Sequence, residues 1–295
     1  MTARPILVCG AGLMGHGIAQ VFAVAGHHVR LYEPDIERAQ AGRDRVAANL
    51  ARAVEKGRMD APSSTASLDR LEVTGDLAAA ASGVALAVEA VFEDEAVKGR
   101  LLAELDRHAP ADAILASNTS SIPIGRLAEA VGPARRPLIA GMHFFSPVPV
   151  MPLIELVRAA TTSDATESTV RAFAAELGKQ VIVSQDRPGF IVNRILMPYL
   201  AEAMRALEEG IGTAEDIDTG ARIGLNHPMG PLELADFIGL DVCLHIMDVL
   251  VDGYGQRHMA PPDVLRDLVA AGHLGQKTKQ GFYAYPRPPR AGGPS

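Results

Sequence analysis

A chain of 295 residues, 48% of them hydrophobic, exceeds a single minimal core and suits one large domain followed by a smaller one. A formal net charge of −7 argues against a nucleic-acid binder, which needs clustered cations to neutralise phosphates, so any anionic ligand must be met by local cations. Two cysteines exclude a disulfide framework and argue against a metal site, and no uncharged apolar run reaches the ~18 residues of a membrane-spanning helix.

The chain runs almost directly into the apolar stretch Ile6 to Cys9, which leaves no room for a signal or transit peptide before the first strand and points to the cytoplasm. Gly10-Ala11-Gly12-Leu13-Met14-Gly15 follows, after which Ile18, Val21, Phe22 and Ala25 recur at helical spacing. Strand, glycine turn and helix in that order suit a dinucleotide. Gly10 permits the tight turn, Gly12 lets a pyrophosphate approach the backbone, and Gly15 lets the helix pack on the strand. The phosphates then sit at the helix N-terminus, where free N–H groups and the helix dipole favour anions. Any tight strand-to-helix turn produces such a glycine pattern, so the next strand decides. It runs from His28 to Glu33, and an acid ending the second strand at about this distance from the loop binds ribose hydroxyls. Glu33 favours NAD over NADP, because it would repel a 2′-phosphate and Pro34 and Asp35 offer no cation.

Asp35 opens a helix to about Gly57 that carries Arg45, Asn49, Arg52 and Lys56 along one polar stripe. A loose connection from Ala61 to Ser67 leads to a strand at Leu71 to Val73, a helix at Asp76 to Ala81 and a strongly apolar strand at Val84 to Val91. Glu93, Asp94 and Glu95 then enter a helix bearing Lys98, Leu101, Leu102 and Leu105. Loops after the strands of an open parallel sheet form its ligand crevice, so Glu93 and Lys98 lie where a cofactor would, or else form a surface pair on a wet helix face. Ala113 to Ala116 is the next strand, and Ser117-Asn118-Thr119-Ser120-Ser121 follows it before Ile122-Pro123 begins a helix. Those five polar residues either cap that helix or bring hydroxyls and an amide to the same sheet edge.

Pro137 to His143 reads as a buried strand, and Pro147, Pro149 and Pro152 turn the chain before the apolar run Leu153 to Val157. A doubling-back sets the two runs side by side. Glu155 lies between Ile154 and Leu156, where a carboxylate is costly unless something donates to it, and His143 is the nearest donor. An imidazole held by a carboxylate has a fixed tautomer and a more basic second nitrogen, as a general base requires. The alternative is a satisfied core histidine with Glu155 turned to solvent. A helix from Asp164 to Leu177, a stop at Gly178 and a strand from Gln180 to Val183 complete the alternation, and Pro188-Gly189 breaks it. Helical patterns follow at Ile191 to Leu207, Ala214 to Arg222, Leu232 to Val251 and Pro262 to Ala271. The boundary near Arg187 separates residues 1–186 from 187–295. The Leu232 to Val251 pattern is apolar on most of its circumference, so it is expected to be buried in the smaller domain or against a second copy. Pro286 to Ser295, rich in proline and glycine, is expected to be disordered.

Six stretches in this order resemble the short-chain L-3-hydroxyacyl-CoA dehydrogenases, especially the bacterial 3-hydroxybutyryl-CoA type. They are Gly10 to Ala19, Ala116 to Ser121, Gly141 to Phe145, Pro188 to Arg194, Asn226 to Pro231, and Lys277-Thr278. The resemblance implies a Rossmann-type doubly wound α/β sheet that binds NAD, followed by a helical domain for substrate and dimerisation. It places His143 on the catalytic base, Glu155 on the acid that orients it, Ser120 on the active-site serine and Asn193 on the contact to the reacting oxygen. Glu33, Glu93, Lys98, Ser146 and Lys277 fall on cofactor positions, as does the glycine loop with Leu13 and Met14. Asn49 and Lys56 fall on positions that meet coenzyme A. The chain departs from the family at Ser146, where asparagine is common. The implied reaction interconverts a 3-hydroxyacyl-CoA and a 3-ketoacyl-CoA by hydride transfer in a homodimeric enzyme. The rival readings are a dehydrogenase of a hydroxy acid without coenzyme A and a catalytically silent nucleotide-binding protein.

Overall fold

Four-residue apolar runs need partners on both faces, and Ile6–Cys9 (β1) finds them. All four of its side chains are inaccessible in the computed structural model, which describes residues 4–286. The first compact unit, Met1–Arg187, continues with α1 (Leu13–Val24), β2 (Val29–Tyr32), α2 (Ile36–Glu55), α3 (Ala61–Asp69), β3 (Leu71–Thr74), α4 (Leu77–Ala81) and β4 (Leu86–Glu89). Then come α5 (Glu95–His108), β5 (Ile114–Ser117), α6 (Ile124–Ala128), β6 (Ile139–Phe144), β7 (Leu153–Arg158), α7 (Asp164–Glu176) and β8 (Gln180–Gln185).

The strands form one sheet in the order β3-β2-β1-β4-β5-β6-β7-β8, parallel except for the antiparallel β6–β7 pair. The chain winds outward from β1 to β3, then returns to the other side of β1 as β4, so strand order reverses between β1 and β4. Ligands of such sheets bind outside the carboxyl ends of the strands at that reversal. Helices pack Ile18, Phe22, Val46, Leu50 and Val170 into a core shared with β-branched and leucine side chains of the sheet.

Most helix starts of this unit are capped by a side chain, which satisfies N–H groups that have no partner within the helix. Asp35, Asp60, Asp76, Asp94 and Ser163 cap α2, α3, α4, α5 and α7. The expected loose connection after Ala61 is thus a helix. Asp60 accepts the Ser63 N–H and Pro62 fits the first turn, while Ser63, Ser64 and Thr65 blur the apolar period that would have announced it. The polar loop from Ser117 to Ser121 does not cap α6. That role falls to Asp186, which accepts the N–H groups of Ile124 and Gly125.

The second unit, Pro188–Ser295, contains α8 (Val192–Glu208), α9 (Ala214–Thr219), α10 (Pro231–Ile238), α11 (Leu240–Tyr254) and α12 (Asp263–Ala270). Its core includes Met197, Leu200, Met204, Leu232, Leu240, Met247, Leu250 and Leu265. The single helix expected from Leu232 to Val251 is two. Gly239 takes φ +105°, a backbone conformation an L side chain rarely adopts, and α10 ends there. Buried Asp236 accepts the N–H groups of Phe282 and Tyr283 and the Tyr285 hydroxyl, so it fastens the C-terminal segment to α10. Of the tail expected to be disordered, all but Pro286 lies outside the described residues. Among those residues no helix is long and apolar enough to cross a membrane.

Candidate active site

The turn after β1 shows what each glycine does. Gly10 has φ +102°, and a Cβ there would stand 2.6 Å from the Ala90 carbonyl oxygen, because the loops after β1 and β4 touch where strand order reverses. A Cβ on Gly15 would lie 1.7 Å from the Gly10 oxygen. Gly12 is different, since a Cβ there meets nothing within 4 Å. Its missing side chain therefore serves space outside the protein, not packing within it. Gly12 also caps α1 without a side-chain hydrogen bond and no acid occupies the first turn, so this helix start keeps its N–H groups for an anion. Leu13 beside it is 70% exposed and Met14 is half-buried. Glu33 follows β2 and accepts the Ala11 N–H at 3.1 Å, which fixes a carboxylate next to the turn. An open glycine, an uncapped helix and a fixed acid fit the pyrophosphate and ribose of NAD.

Next to this lies a charged network in which the expected Glu93 and Lys98 are joined by Glu89, which the sequence did not single out. Glu89, fully buried at the end of β4, accepts the Val91 N–H (2.7 Å), the Lys98 ammonium (2.7 Å) and the Ser117 hydroxyl (2.5 Å). Lys98 is 1% exposed, which rules out the wet-face pair. Its ammonium also donates to Glu93 Oε2 (3.1 Å) and to the Val91 carbonyl (3.3 Å). Glu93 Oε1 in turn collects the Thr119 hydroxyl (2.5 Å), the Ser120 N–H (2.9 Å), the Ser121 N–H (3.2 Å) and the Ser121 hydroxyl (3.0 Å). Burial pushes the Glu93 carboxyl upward, but the Lys98 charge and the donors from Thr119 and Ser120 outweigh it and hold the group below its ordinary value.

The antiparallel register sets His143 directly opposite Glu155, on one face of the β6–β7 pair. Glu155 is fully buried and His143 is 5% exposed, and Nδ1 lies 3.0 Å from Glu155 Oε2. The carboxylate therefore does not turn to solvent. Since a carboxylate only accepts, Nδ1 carries the proton and Nε2 is left as the basic nitrogen. Ser120 Oγ stands 3.2 Å from that Nε2. Asn118 closes the corner by accepting the Phe144 N–H at 2.9 Å, so the loop after β5 is tied to the end of β6. Ser117 and Asn118 belong to the polar run expected to bring hydroxyls and an amide to this edge, whereas Glu89 escaped notice. For Glu89 the signal was the one that flagged Glu155, a lone acid in an apolar strand.

Each of the remaining expected site residues has its own local setting. Lys56 stands just past the end of α2, exposed as Arg45 and Arg52 are, and none of the three forms an ion pair among the described residues. Asn49 donates to Gln20 at 3.0 Å, joining α2 to α1. Ser146 is exposed after β6. In the second unit Asn193 is a buried residue of α8, and Lys277 pairs with Asp241 at 2.5 Å. No cluster of three or more His, Cys, Asp or Glu suits a metal ion among the described residues.

A sequence model of the 3-hydroxyacyl-CoA dehydrogenase NAD-binding domain matches residues 5–187, and a model of the same family's C-terminal domain matches residues 189–285. The chain belongs to the 3-hydroxyacyl-CoA dehydrogenase family. It is an NAD-dependent oxidoreductase, and the glycine turn with Glu33 lies within the family's NAD-binding domain. Over 280 residues it is 47% identical to the 3-hydroxybutyryl-CoA dehydrogenase of Mycobacterium tuberculosis, covering 94% of this chain and 97% of that one. The mitochondrial hydroxyacyl-coenzyme A dehydrogenase of Sus scrofa is 39% identical over 288 residues, 96% of this chain and 91% of the pig protein. The crystal structure of (S)-3-hydroxybutyryl-CoA dehydrogenase from Ralstonia eutropha is similar with a TM-score of 0.92 at 40% identity, covering 97% of this chain and 100% of that one.

Two outcomes test this geometry. Gly12→Ala should keep the wild-type melting temperature yet weaken NADH binding about tenfold or more, measured by fluorescence titration, whereas Gly15→Ala should lower the melting temperature. Wild-type affinity in Gly12→Ala would remove the pyrophosphate from this turn. The second outcome concerns Glu93, whose folded-state value is depressed. Its contribution to stability is full above the unfolded carboxylate value of ~4.3 and fades as pH falls through the lower folded one. The melting-temperature gap between wild type and Glu93→Gln should therefore narrow from about pH 6 to about pH 3, and a constant gap would contradict the network.

Proposed function

We propose that the enzyme interconverts (S)-3-hydroxyacyl-CoA and 3-ketoacyl-CoA, with the four-carbon 3-hydroxybutyryl-CoA as its substrate, and that His143 is its general base. The observation that carries the assignment is the buried Glu155 on Nδ1, with Ser120 at Nε2. The four-carbon chain is supported by the names of relatives that are 44–47% identical over nearly the whole chain. Bound NAD supplies the hydride acceptor. His143 Nε2 takes the proton of the 3-hydroxyl, and in the reverse direction the imidazolium returns it to the ketone oxygen. Glu155 balances the charge that appears on the ring and keeps Nε2 free of the tautomeric proton. Ser120 holds the substrate oxygen beside Nε2 as its charge changes. Asn193, as a substrate contact, and Lys277 and Ser146, as cofactor contacts, enter this reading by resemblance.

Arg45, Arg52 and Lys56 give the acyl-CoA phosphates local cations on a chain that is acidic overall, with Asn49 a neutral amide in the same stripe. Two buried free thiols, Cys9 and Cys243, suit a reducing compartment, and we place the enzyme in the cytoplasm. Phe237 and Val242, 46% and 41% exposed on adjacent helices of the second unit, support a homodimer.

In an assay of NADH consumption with acetoacetyl-CoA, His143→Ala should lose ~10²–10⁴-fold in kcat while still binding NADH. Lys56→Ala should raise the KM for acetoacetyl-CoA and leave that for NADH unchanged. More than a tenth of the wild-type rate in His143→Ala sinks the base assignment, and equal turnover of free acetoacetate sinks the coenzyme A reading. Light scattering should give twice 31.1 kDa, with the native enzyme recovered from the cytosolic fraction; a monomer or a membrane-bound protein would contradict these assignments.

A further inference from the structure

Lys98 has three N–H donors, and Glu89, Glu93 and the Val91 carbonyl take them at 2.7, 3.1 and 3.3 Å. With the side chain 1% exposed, its charge acts through these partners. Of these, Glu93 gathers the loop from Thr119 to Ser121 onto one oxygen. Glu89 reaches the same loop by a second route, since the Ser117 hydroxyl that donates to Glu89 also accepts the Thr119 N–H at 3.2 Å. Both routes end on the segment that carries Ser120, whose Oγ faces His143 Nε2.

We infer that Glu89 is a positioning residue for the reaction: through Lys98–Glu93 and through Ser117 it sets Ser120 against the His143 imidazole. This rests on the reading of His143 and Ser120 given under Proposed function. Two carboxylates sharing one ammonium fix a loop more tightly than neutral hydrogen bonds do, because charge-assisted bonds are shorter and about twice as strong. A fully buried acid is also costly to keep unless it is fully paired. Both oxygens of Glu89 accept from protein donors, Oε1 from Val91 and Lys98 and Oε2 from Ser117.

Glu89→Gln is the informative change. An amide oxygen at the Oε1 position keeps the bonds from Val91 and Lys98, while the negative charge is lost and the Ser117 hydroxyl, which now accepts from the amide, gives up its own donation. With acetoacetyl-CoA and NADH, Glu89→Gln should lower kcat roughly 10- to 100-fold, the scale on which small misplacements of a reacting group act, with the KM for acetoacetyl-CoA nearly unchanged. In a Ser120→Ala background the same substitution should have little further effect, because its target is already gone. A merely structural role would lower activity by the same factor in both backgrounds. If Glu89→Gln does not fold, Glu89→Gln with Lys98→Met, which removes both charges together, carries the same comparison. An active wild type whose kcat is unchanged by the substitution, or falls equally with and without Ser120, overturns this inference alone. A wild type inactive on every 3-ketoacyl-CoA overturns it together with the functional reading.

Discussion

A carboxylate that no water reaches, placed one strand away from an imidazole, is the constraint around which the first unit is built. Transferring such a charge from water costs several kcal/mol, and removing one member of a buried pair typically costs ~3–5 kcal/mol. A single buried leucine returns roughly 1.5–3 kcal/mol, so Glu155 is retained only with its partner in place. The antiparallel β6–β7 pair supplies that partner by register alone, since His143 and Glu155 stand directly opposite on one face. One bond then fixes the tautomer and leaves Nε2 as the basic nitrogen. The loop after β5 brings Ser120 to that nitrogen, and Asn118 ties the loop to β6.

The cofactor half follows from topology. Because strand order reverses between β1 and β4, the loops after these strands meet, and only a glycine tolerates the contact between Gly10 and the Ala90 carbonyl. Capping residues satisfy the starts of α2 to α5 and α7, while α1 begins on Gly12 and keeps its donors. The chain is acidic overall, yet the start of α1 offers backbone N–H donors and Arg52 and Lys56 at the end of α2 form no ion pair among the described residues. The acid-rich C-terminal edge of the sheet holds its charges in a closed network. Its own lysine is spent on Glu89 and Glu93, and this explains how Glu89 and Lys98 keep their charges out of water.

Much of this was legible in the sequence. Apolar runs with period two or with no period gave the strands, and the glycine turn with Glu33 gave the nucleotide half, because both depend on short-range spacing. The pairing of His143 with Glu155 was legible because three prolines forced the chain back on itself. Boundaries were less legible. The helix after Asp60 is written in capping chemistry rather than in apolar period, and the break at Gly239 is hidden inside a run whose flanks are both apolar. Glu89 is the sole charge between Val84 and Val91, a sign as plain as Glu155, yet its partners come from three separate elements. Lys98 reads either as a crevice residue or as one on a wet helix face, and only the packing of α5 against β4 shows that it is buried.

The account depends on Glu155 bracing the imidazole during proton transfer. The direct measurement is the single-turnover rate of NADH oxidation at saturating NADH and acetoacetyl-CoA, compared between wild type and Glu155→Gln. A glutamine oxygen still accepts from Nδ1, so the tautomer is kept and only the balancing charge is lost. The account predicts a rate lower by at least about tenfold with unchanged affinity for NADH. Equal rates in the two enzymes would contradict it.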